Sequence, residues 1–418
     1  MSRRGSPGQR KWTVAVWVAG DNNLESFGET DLGEMKSVGS NDDVAVVAQF
    51  DRMGDEQTRR YFLRANTPLQ DDVVAELGET NTGDPAVAVD FFAWAFGEYP
   101  SEKRLAVIWN HGSGIDEADI YARVATRGLR VERSSADGGD AIPRARVREV
   151  ASSGHRRALF ATTLEEAVSS RAIAYDDTAR DFLDNAELKR VLTEVVQRTD
   201  GPIDVLGFDA CLMNLVEVSY ELRDTVGYIV GSEEVEPGDG WPYDGVLNEL
   251  VAAPDLSGKE AAARFVDKYM DSYRGDTVTQ SAVDVSRVES LAAATSAFAE
   301  ACIPLVESRE HFGDFSKAVK NAQRFHMKDF ADLGDLCERV GADPAPTEVR
   351  DAAAKVRDAL FGDAPFVISS GRQGDTVAGA TGAAVYFPIV GDVQVAYDQL
   401  DFGRDTAWRD LIAKYGEA

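Results

Sequence analysis

The chain has 418 residues with 72 Asp and Glu against 44 Lys and Arg, which sets a formal net charge of −28 at pH 7 and a pI near 4.5. Such a surface repels a phosphate backbone, which excludes a general nucleic-acid binder. Hydrophobic residues make up 44% and fall in short blocks along the whole chain, so a packed core is expected, and no apolar stretch reaches the roughly 18 residues of a membrane span.

Residues 1–11 form a basic N-terminal tail, and the residues after it lack the apolar core and small-residue cleavage site of a signal peptide, so a cytoplasmic protein is expected. Trp12 to Ala19 is a continuous β-rich run ending at Gly20-Asp21-Asn22-Asn23, which predicts a buried strand followed by a helix cap. Val44 to Asp51 and Arg59 to Arg64 predict two further strands. Ala86 to Phe96 carries large apolar residues at helical spacing and stops before Tyr99-Pro100. Leu105 to Trp109 and Ile203 to Phe208 read as a fourth and a fifth strand. Fully apolar strands separated by helices imply a mostly parallel sheet covered on both faces, an α/β/α sandwich.

Between the last two strands, residues 121–160 hold nine arginines against four acids, with Ser-Ser, Gly-Gly and Ser-Ser-Gly runs, which predicts a flexible basic segment in an acidic protein. Beyond about residue 250, Lys259 to Tyr273, Val288 to Glu307 and Thr347 to Leu360 read as amphipathic helices, and Ala383 to Pro388 as a late strand. The expected organisation is a catalytic domain over 12–250 and a largely helical C-terminal region over 251–418 packed against it.

Lysine is scarce, 11 residues beside 33 arginines, while carboxylates abound. Molar salt shortens the Debye length to about 3 Å and screens the self-repulsion of such a chain, so the composition resembles that of a protein from a halophilic archaeon. Cys211, Cys302 and Cys337 are odd in number and widely spaced, which supports neither a disulfide framework nor a zinc site. His111, His155, His311 and His326 include no metalloprotease pair, so no metal-ligand set is readable.

Two predicted strand ends carry reactive groups. Leu105 to Trp109 runs into Asn110-His111-Gly112-Ser113-Gly114, and Ile203 to Phe208 into Asp209-Ala210-Cys211, followed by a helix-like segment from Leu212 to Arg223. Ligands of an open α/β sheet bind outside the carboxyl ends of its strands, where His111 and Cys211 would be neighbours. A helix N-terminus favours the Cys211 thiolate, and an imidazole takes or shares its proton. Backbone N–H groups of Gly112 and Cys211 are candidate oxyanion donors. The plainer alternative is a small core cysteine and a capped loop histidine.

Trp12-Thr-Val-Ala-Val-Trp-Val-Ala-Gly-Asp-Asn-Asn-Leu-Glu25, Asn110-His-Gly-Ser-Gly114, Gly207-Phe-Asp-Ala-Cys-Leu-Met213 and Gly231-Ser-Glu-Glu234 with Pro237-Gly-Asp-Gly-Trp-Pro-Tyr243 resemble, in this order, the motifs of the clostripain family of cysteine peptidases in the caspase-like clan. The resemblance covers roughly residues 12–250 and thins beyond, where Gly382 to Pro388 is similar to the family's late strand. It implies a caspase-like fold, His111 as general base and Cys211 as nucleophile. It further implies protein or peptide substrates cleaved after Arg or Lys, with Asp209 at the base of the specificity pocket. A carboxylate there pairs with a guanidinium in bidentate geometry; the alternative for Asp209 is an N-cap of the following helix. Asp239 is a second candidate wall of the pocket, whereas Asp21 and Asn22 are expected to shape a loop and Trp241 and Tyr243 to pack beneath the pocket.

The resemblance also places a zymogen's activation site between the two catalytic motifs, so Arg123, Arg127, Arg130 and Arg133 become candidate self-cleavage positions; the alternative is an insertion that is never cut. Calcium enters by resemblance, since some family members depend on it, but no twelve-residue calcium loop gives it a place. The rival readings are a non-catalytic caspase-like binding module, against which the intact His111 and Cys211 argue, and another α/β hydrolase or nucleotide-binding protein, for which no Gly-rich phosphate loop or Gly-x-Ser-x-Gly elbow is present. Oligomeric state leaves no sequence signal.

Overall fold

The structure, a computed structural model, describes residues 9–22, 24–110, 173–176, 181–342, 344–389, 393 and 395–418. Its strands in chain order are β1 (Arg10–Gly20), β2 (Val44–Arg52), β3 (Gln57–Phe62), β4 (Val73–Gly78), β5 (Ser101–Trp109), β6 (Ile173–Asp176), β7 (Asp181–Leu183), β8 (Ile203–Asp209), β9 (Val226–Gly231), β10 (Val278–Asp284), β11 (Phe330–Asp332), β12 (Val367–Gln373) and β13 (Ala384–Tyr386). The helices are α1 (Glu25–Val38), α2 (Pro85–Glu98), α3 (Asn185–Thr199), α4 (Val216–Glu221), α5 (Tyr243–Ala252), α6 (Gly258–Ser272), α7 (Val288–Glu307), α8 (Phe312–Asn321), α9 (Leu333–Val340), α10 (Thr347–Phe361), α11 (Asp401–Asp405) and α12 (Trp408–Glu417).

Nine strands form one sheet in the order β12-β10-β9-β8-β5-β1-β2-β3-β4. The five central strands, β9 to β2, run parallel, and an antiparallel pair closes each side. The continuous apolar runs read from the sequence are four of these central strands, apolar throughout because both faces are covered. The fifth, β9, Val-Gly-Tyr-Ile-Val-Gly, is not among the strands read from the sequence. On one face Val14, Val16, Val46, Leu105 and Val107 pack against α1, α5 and α6. On the other, Ala15, Trp17, Ala106, Ile108 and Phe208 pack against α2, α3 and the helices beyond residue 280. This is the expected caspase-like α/β/α sandwich.

Caps mark the helices as composition suggests. Asp184 with Glu187 and Ser257 with Glu260 form reciprocal capping boxes at α3 and α6, and Pro85 opens α2 behind the Asp84 cap. Two strands beyond residue 250, β10 and β12, extend the main sheet. Their sequences, Val-Thr-Gln-Ser-Ala-Val-Asp and Val-Ile-Ser-Ser-Gly-Arg-Gln, carry too many polar residues to stand out as strands. The expected late strand is shorter than Ala383 to Pro388 and pairs antiparallel with β11 in a separate ribbon rather than in the main sheet.

Candidate active site

The site is built by register. In the β5–β8 pair Trp109 lies opposite Asp209, and the Asn110 N–H donates to the Asp209 carbonyl at 3.3 Å. The two chain segments that carry the motifs therefore leave the sheet side by side. His111 and Gly112 themselves lie outside the described residues, as do Arg123, Arg127, Arg130, Arg133 and the whole 121–160 segment.

Cys211 sits two residues past β8, 9% exposed, in a turn rather than a helix. The expected helix from Leu212 is replaced by an irregular loop, and α4 begins only at Val216. Leu212 adopts φ +60°, which interrupts a right-handed helix at its first residue. The N–H groups of Leu212 and Asn214 donate instead to the carbonyls of Glu234 and Ser232, at 3.2 and 3.0 Å. The helix-dipole argument for the thiolate thus falls, and so does the alternative of Asp209 as N-cap. A different donor replaces it: the Glu236 N–H points at the Cys211 sulfur at 3.3 Å. A backbone N–H aimed at sulfur favours the anionic form, and the Glu236 carbonyl, which accepts from the thiol at 3.9 Å, favours the neutral one.

Asp209 is buried at the end of β8, where its Oδ2 accepts from the Tyr243 hydroxyl at 2.8 Å and the Trp241 N–H at 3.2 Å. Burial pushes its carboxyl up to about 6, and these two bonds keep it from rising further. Two more acids close in. Asp31 of α1 accepts from the Trp109 indole at 2.5 Å and is raised to about 9 by burial and then by the charge of Asp209. Glu236 accepts from the Gln280 amide at 3.1 Å and is held well above the ordinary carboxylate range by burial and by Asp209. The three acids share one buried cluster, in which Asp31 and Glu236 are raised by burial and then by the charge of Asp209. Among the described residues no lysine or arginine pairs with any of the three.

Asp239 lies on the same loop, less buried than Asp209, and its charge reaches Asp31 and Tyr273. Gly240 is needed there in two ways: its φ is +60°, and a Cβ would come within 3.0 Å of the Asp209 carboxylate. Trp241 and Tyr243 are buried as expected, but Tyr243 also holds Asp209 by its hydroxyl. Asn22 shapes its loop, bonding the Ala19 carbonyl and the Leu24 N–H, each at 2.9 Å. Cys302 and Cys337 are core residues whose thiols burial pushes up, His311 is exposed and His326 half-buried, and His155 lies outside the described residues.

Sequence reasoning passes over Asp31, Glu236 and Asn214. The side-chain amide of Asn214 donates to the Ser281 hydroxyl and to the carbonyls of Gly231 and Gly382, at 3.4 and 3.3 Å for the latter two. It thereby ties the Cys211 loop to β9, β10 and the approach to β13. Its place three residues after Cys211 is the one signal the sequence offers for it.

Comparison with known proteins bears on the family and the fold. The sequence profile of the clostripain family matches residues 16–154 and 161–413. Clostripain of Hathewaya histolytica is 27% identical over 276 residues, 58% of this chain and 43% of that protein, so the match spans less than half of the relative's length. Among solved structures, a secreted C11 cysteine protease from Bacteroides thetaiotaomicron with an irreversible peptide inhibitor superposes with a TM-score of 0.60 at 19% identity, covering 96% of this chain and 99% of that one. An inactive zymogen C11 protease from Parabacteroides distasonis does so with a TM-score of 0.60 at 18% identity, covering 96% and 99%. With the ordered motifs, the caspase-like sheet and a family match running over most of its length, the chain belongs to the clostripain family of cysteine peptidases.

Proposed function

We propose that the chain is a cysteine endopeptidase that cleaves after arginine or lysine. The observation that carries the reading is the buried Asp209 carboxyl, two residues before the Cys211 thiol and matched by no cation of the described residues. A substrate guanidinium or ammonium supplies the missing charge, and the guanidinium does so bidentately. Asp239 adds a second acidic wall.

In this reading the Cys211 sulfur, favoured as thiolate by the Glu236 N–H, attacks the carbonyl carbon after the basic residue. Backbone N–H groups of Gly112 and Cys211 receive the oxyanion. His111, holding the proton taken from the thiol, gives it to the leaving amine as the C–N bond breaks; water then attacks the thioester while His111 takes its proton, and the C–S bond breaks to release the acid and return the thiolate beside the protonated imidazole. The same specificity turns the 121–160 segment into a substrate. Cleavage after Arg123, Arg127, Arg130 or Arg133 yields two chains that stay joined through the shared sheet, and the zymogen state of the Parabacteroides distasonis relative accords with such control.

Intact mass of the wild type and of Cys211→Ala, both purified in molar salt, tests this together with turnover of an arginyl amide. Two fragments that sum to one chain, broken after an arginine of 121–160 in the wild type only, are expected. If both stay whole, self-processing fails; if the wild type also leaves the arginyl amide intact, a non-catalytic caspase-like module replaces the peptidase.

A further inference from the structure

Loop 232–236, which follows β9, is fastened to the nucleophile by its backbone. The Glu236 N–H points at the Cys211 sulfur, and the carbonyls of Glu234 and Ser232 take the N–H groups of Leu212 and Asn214. The loop is also tied to β10, where the Thr279 hydroxyl oxygen accepts from the N–H groups of Glu233 and Glu234, both at 3.0 Å. None of these contacts uses the side chain of Glu233, an acid that is only 2% exposed.

That side chain meets the C-terminal region. Its Oε2 accepts from the Gly382 N–H at 3.1 Å, and its carboxyl lies within hydrogen-bond reach of the carboxyl of Asp332, the buried last residue of β11. Donors crowd Asp332: Oδ1 accepts from the Asp335 N–H at 2.7 Å and the Thr381 hydroxyl at 2.8 Å, and Oδ2 from the Thr381 N–H at 2.5 Å. Oε1 of Glu233 has no donor among the described residues. Two carboxylates in contact away from water repel, whereas an acid and a carboxylate share a hydrogen bond. The donors on Asp332 favour the negative charge there and draw the one proton of the pair to Glu233.

Gly382 carries the link onward. Its N–H goes to Glu233, while its carbonyl accepts from the Asn214 amide at 3.3 Å and the Ser281 hydroxyl at 2.9 Å. Glu233 in the loop facing the sulfur and Asn214 in the loop that bears it therefore grip the same residue. The φ of Gly382 is +112°, and a Cβ there would stand 2.8 Å from Val367 and 2.9 Å from Ser370, so this residue is closely confined.

We infer that Glu233 is a positioning residue for the Cys211 nucleophile: joined to Asp332 by one shared proton, it holds loop 232–236 at its distance from the sulfur. The inference rests on Cys211 as nucleophile and not on the preference for arginine. Burial, with Asp332 beside it, holds the Glu233 carboxyl well above the ordinary carboxylate range. Among the described residues, two other groups face the pair. Arg372 of β12 draws Glu233 down while donating to the Ala380 carbonyl at 2.7 Å, and burial keeps the Cys337 thiol of α9 neutral. Loss of the shared proton in alkaline solution leaves two adjacent buried anions, whose repulsion moves loop 232–236 off the sulfur.

The test compares full-length wild type, Glu233→Gln and Glu233→Ala in molar KCl, with near-UV circular dichroism to verify folding. Two rates are read: hydrolysis of an arginyl amide, and alkylation of Cys211 by iodoacetamide followed by intact mass. Cys302 and Cys337 are fully buried and stay unmodified in the folded chain. The glutamine amide keeps an acceptor for the Gly382 N–H and a donor for Asp332, so Glu233→Gln should match the wild type at pH 7. Glu233→Ala loses both bonds, and its kcat and alkylation rate should fall roughly tenfold with KM held within about twofold. At pH 10 the wild type should alkylate at least ~3-fold more slowly than Glu233→Gln, which has no proton to lose. A folded Glu233→Ala alkylated at the wild-type rate overturns the inference, as does a Glu233→Gln as slow as Glu233→Ala at pH 7, or equal rates of wild type and Glu233→Gln at pH 10. If Glu233→Ala does not fold, the comparison at pH 10 decides alone. The expected alkylation rates with an arginyl amide left intact by all three proteins would support Glu233 and remove only the arginine preference.

Discussion

At the residue scale the proposed specificity turns on one buried carboxyl that two neighbours hold by hydrogen bonds. Asp209 is pushed up only to about 6 because Tyr243 and Trp241 donate to it, whereas Asp31, held by the Trp109 indole and facing the charge of Asp209, is pushed to about 9. Asp209→Asn keeps the shape and removes the charge. On the proposed specificity, kcat/KM for an arginyl amide should fall roughly a hundredfold, the order of about 3 kcal/mol expected for an unpaired buried charge. Its Tm should hold or rise, since burial disfavours the ionised form. Kinetics beside a thermal scan check both; an unchanged preference for arginine would remove Asp209 from the pocket.

At the scale of elements, the loop after β9 reaches across β8 to make the site. Gly207 in β8 has no side chain because the Trp241 ring lies there: a Cβ at this position would stand 2.7 Å from the ring. The backbone N–H of Trp241 in turn donates to Asp209. Gly207→Ala should displace the ring, cost about 1–3 kcal/mol by overpacking, and raise KM for a basic substrate more than it lowers kcat. Thermal unfolding and a Michaelis series measure this. A neutral effect on both would mean that the loop relaxes independently of the strand beneath it.

Across the whole molecule, burial raises several acids together: Asp31 to about 9, Asp51 to about 8, Glu217 to about 7 and Asp209 to about 6. In the unfolded chain these groups titrate near 4, so between that value and their folded values the native state binds more protons. The slope of stability against pH is then negative: their contribution is complete below about pH 4 and is lost as pH rises towards about 9. Cys211→Ala should therefore show a lower Tm at pH 8.5 than at pH 6, measured at constant molar salt. A Tm that climbs over this range would contradict the burial of these acids.

What the sequence determined by itself is four of the five central strands and the order of the motifs. Trp12 to Ala19, Val44 to Asp51, Leu105 to Trp109 and Ile203 to Phe208 are legible because a central parallel strand must be apolar at every position. Asn110-His111 and Asp209-Ala210-Cys211 are legible because they follow such strands directly. Tertiary structure decided what local pattern does not encode. The polar strands β10 and β12 are held by sheet pairing, and the helix expected at Leu212 gives way because loop 232–236 takes its N–H groups. Asp31 reaches Asp209 only through the packing of α1 on the sheet. The carboxylates at 21, 51, 79 and 176 come from four separate segments and meet only because the ends of β1 and β2 are neighbours. A repeat of apolar residues can be read along a chain, whereas a cluster of charges assembled across a sheet is written only in the register of its strands.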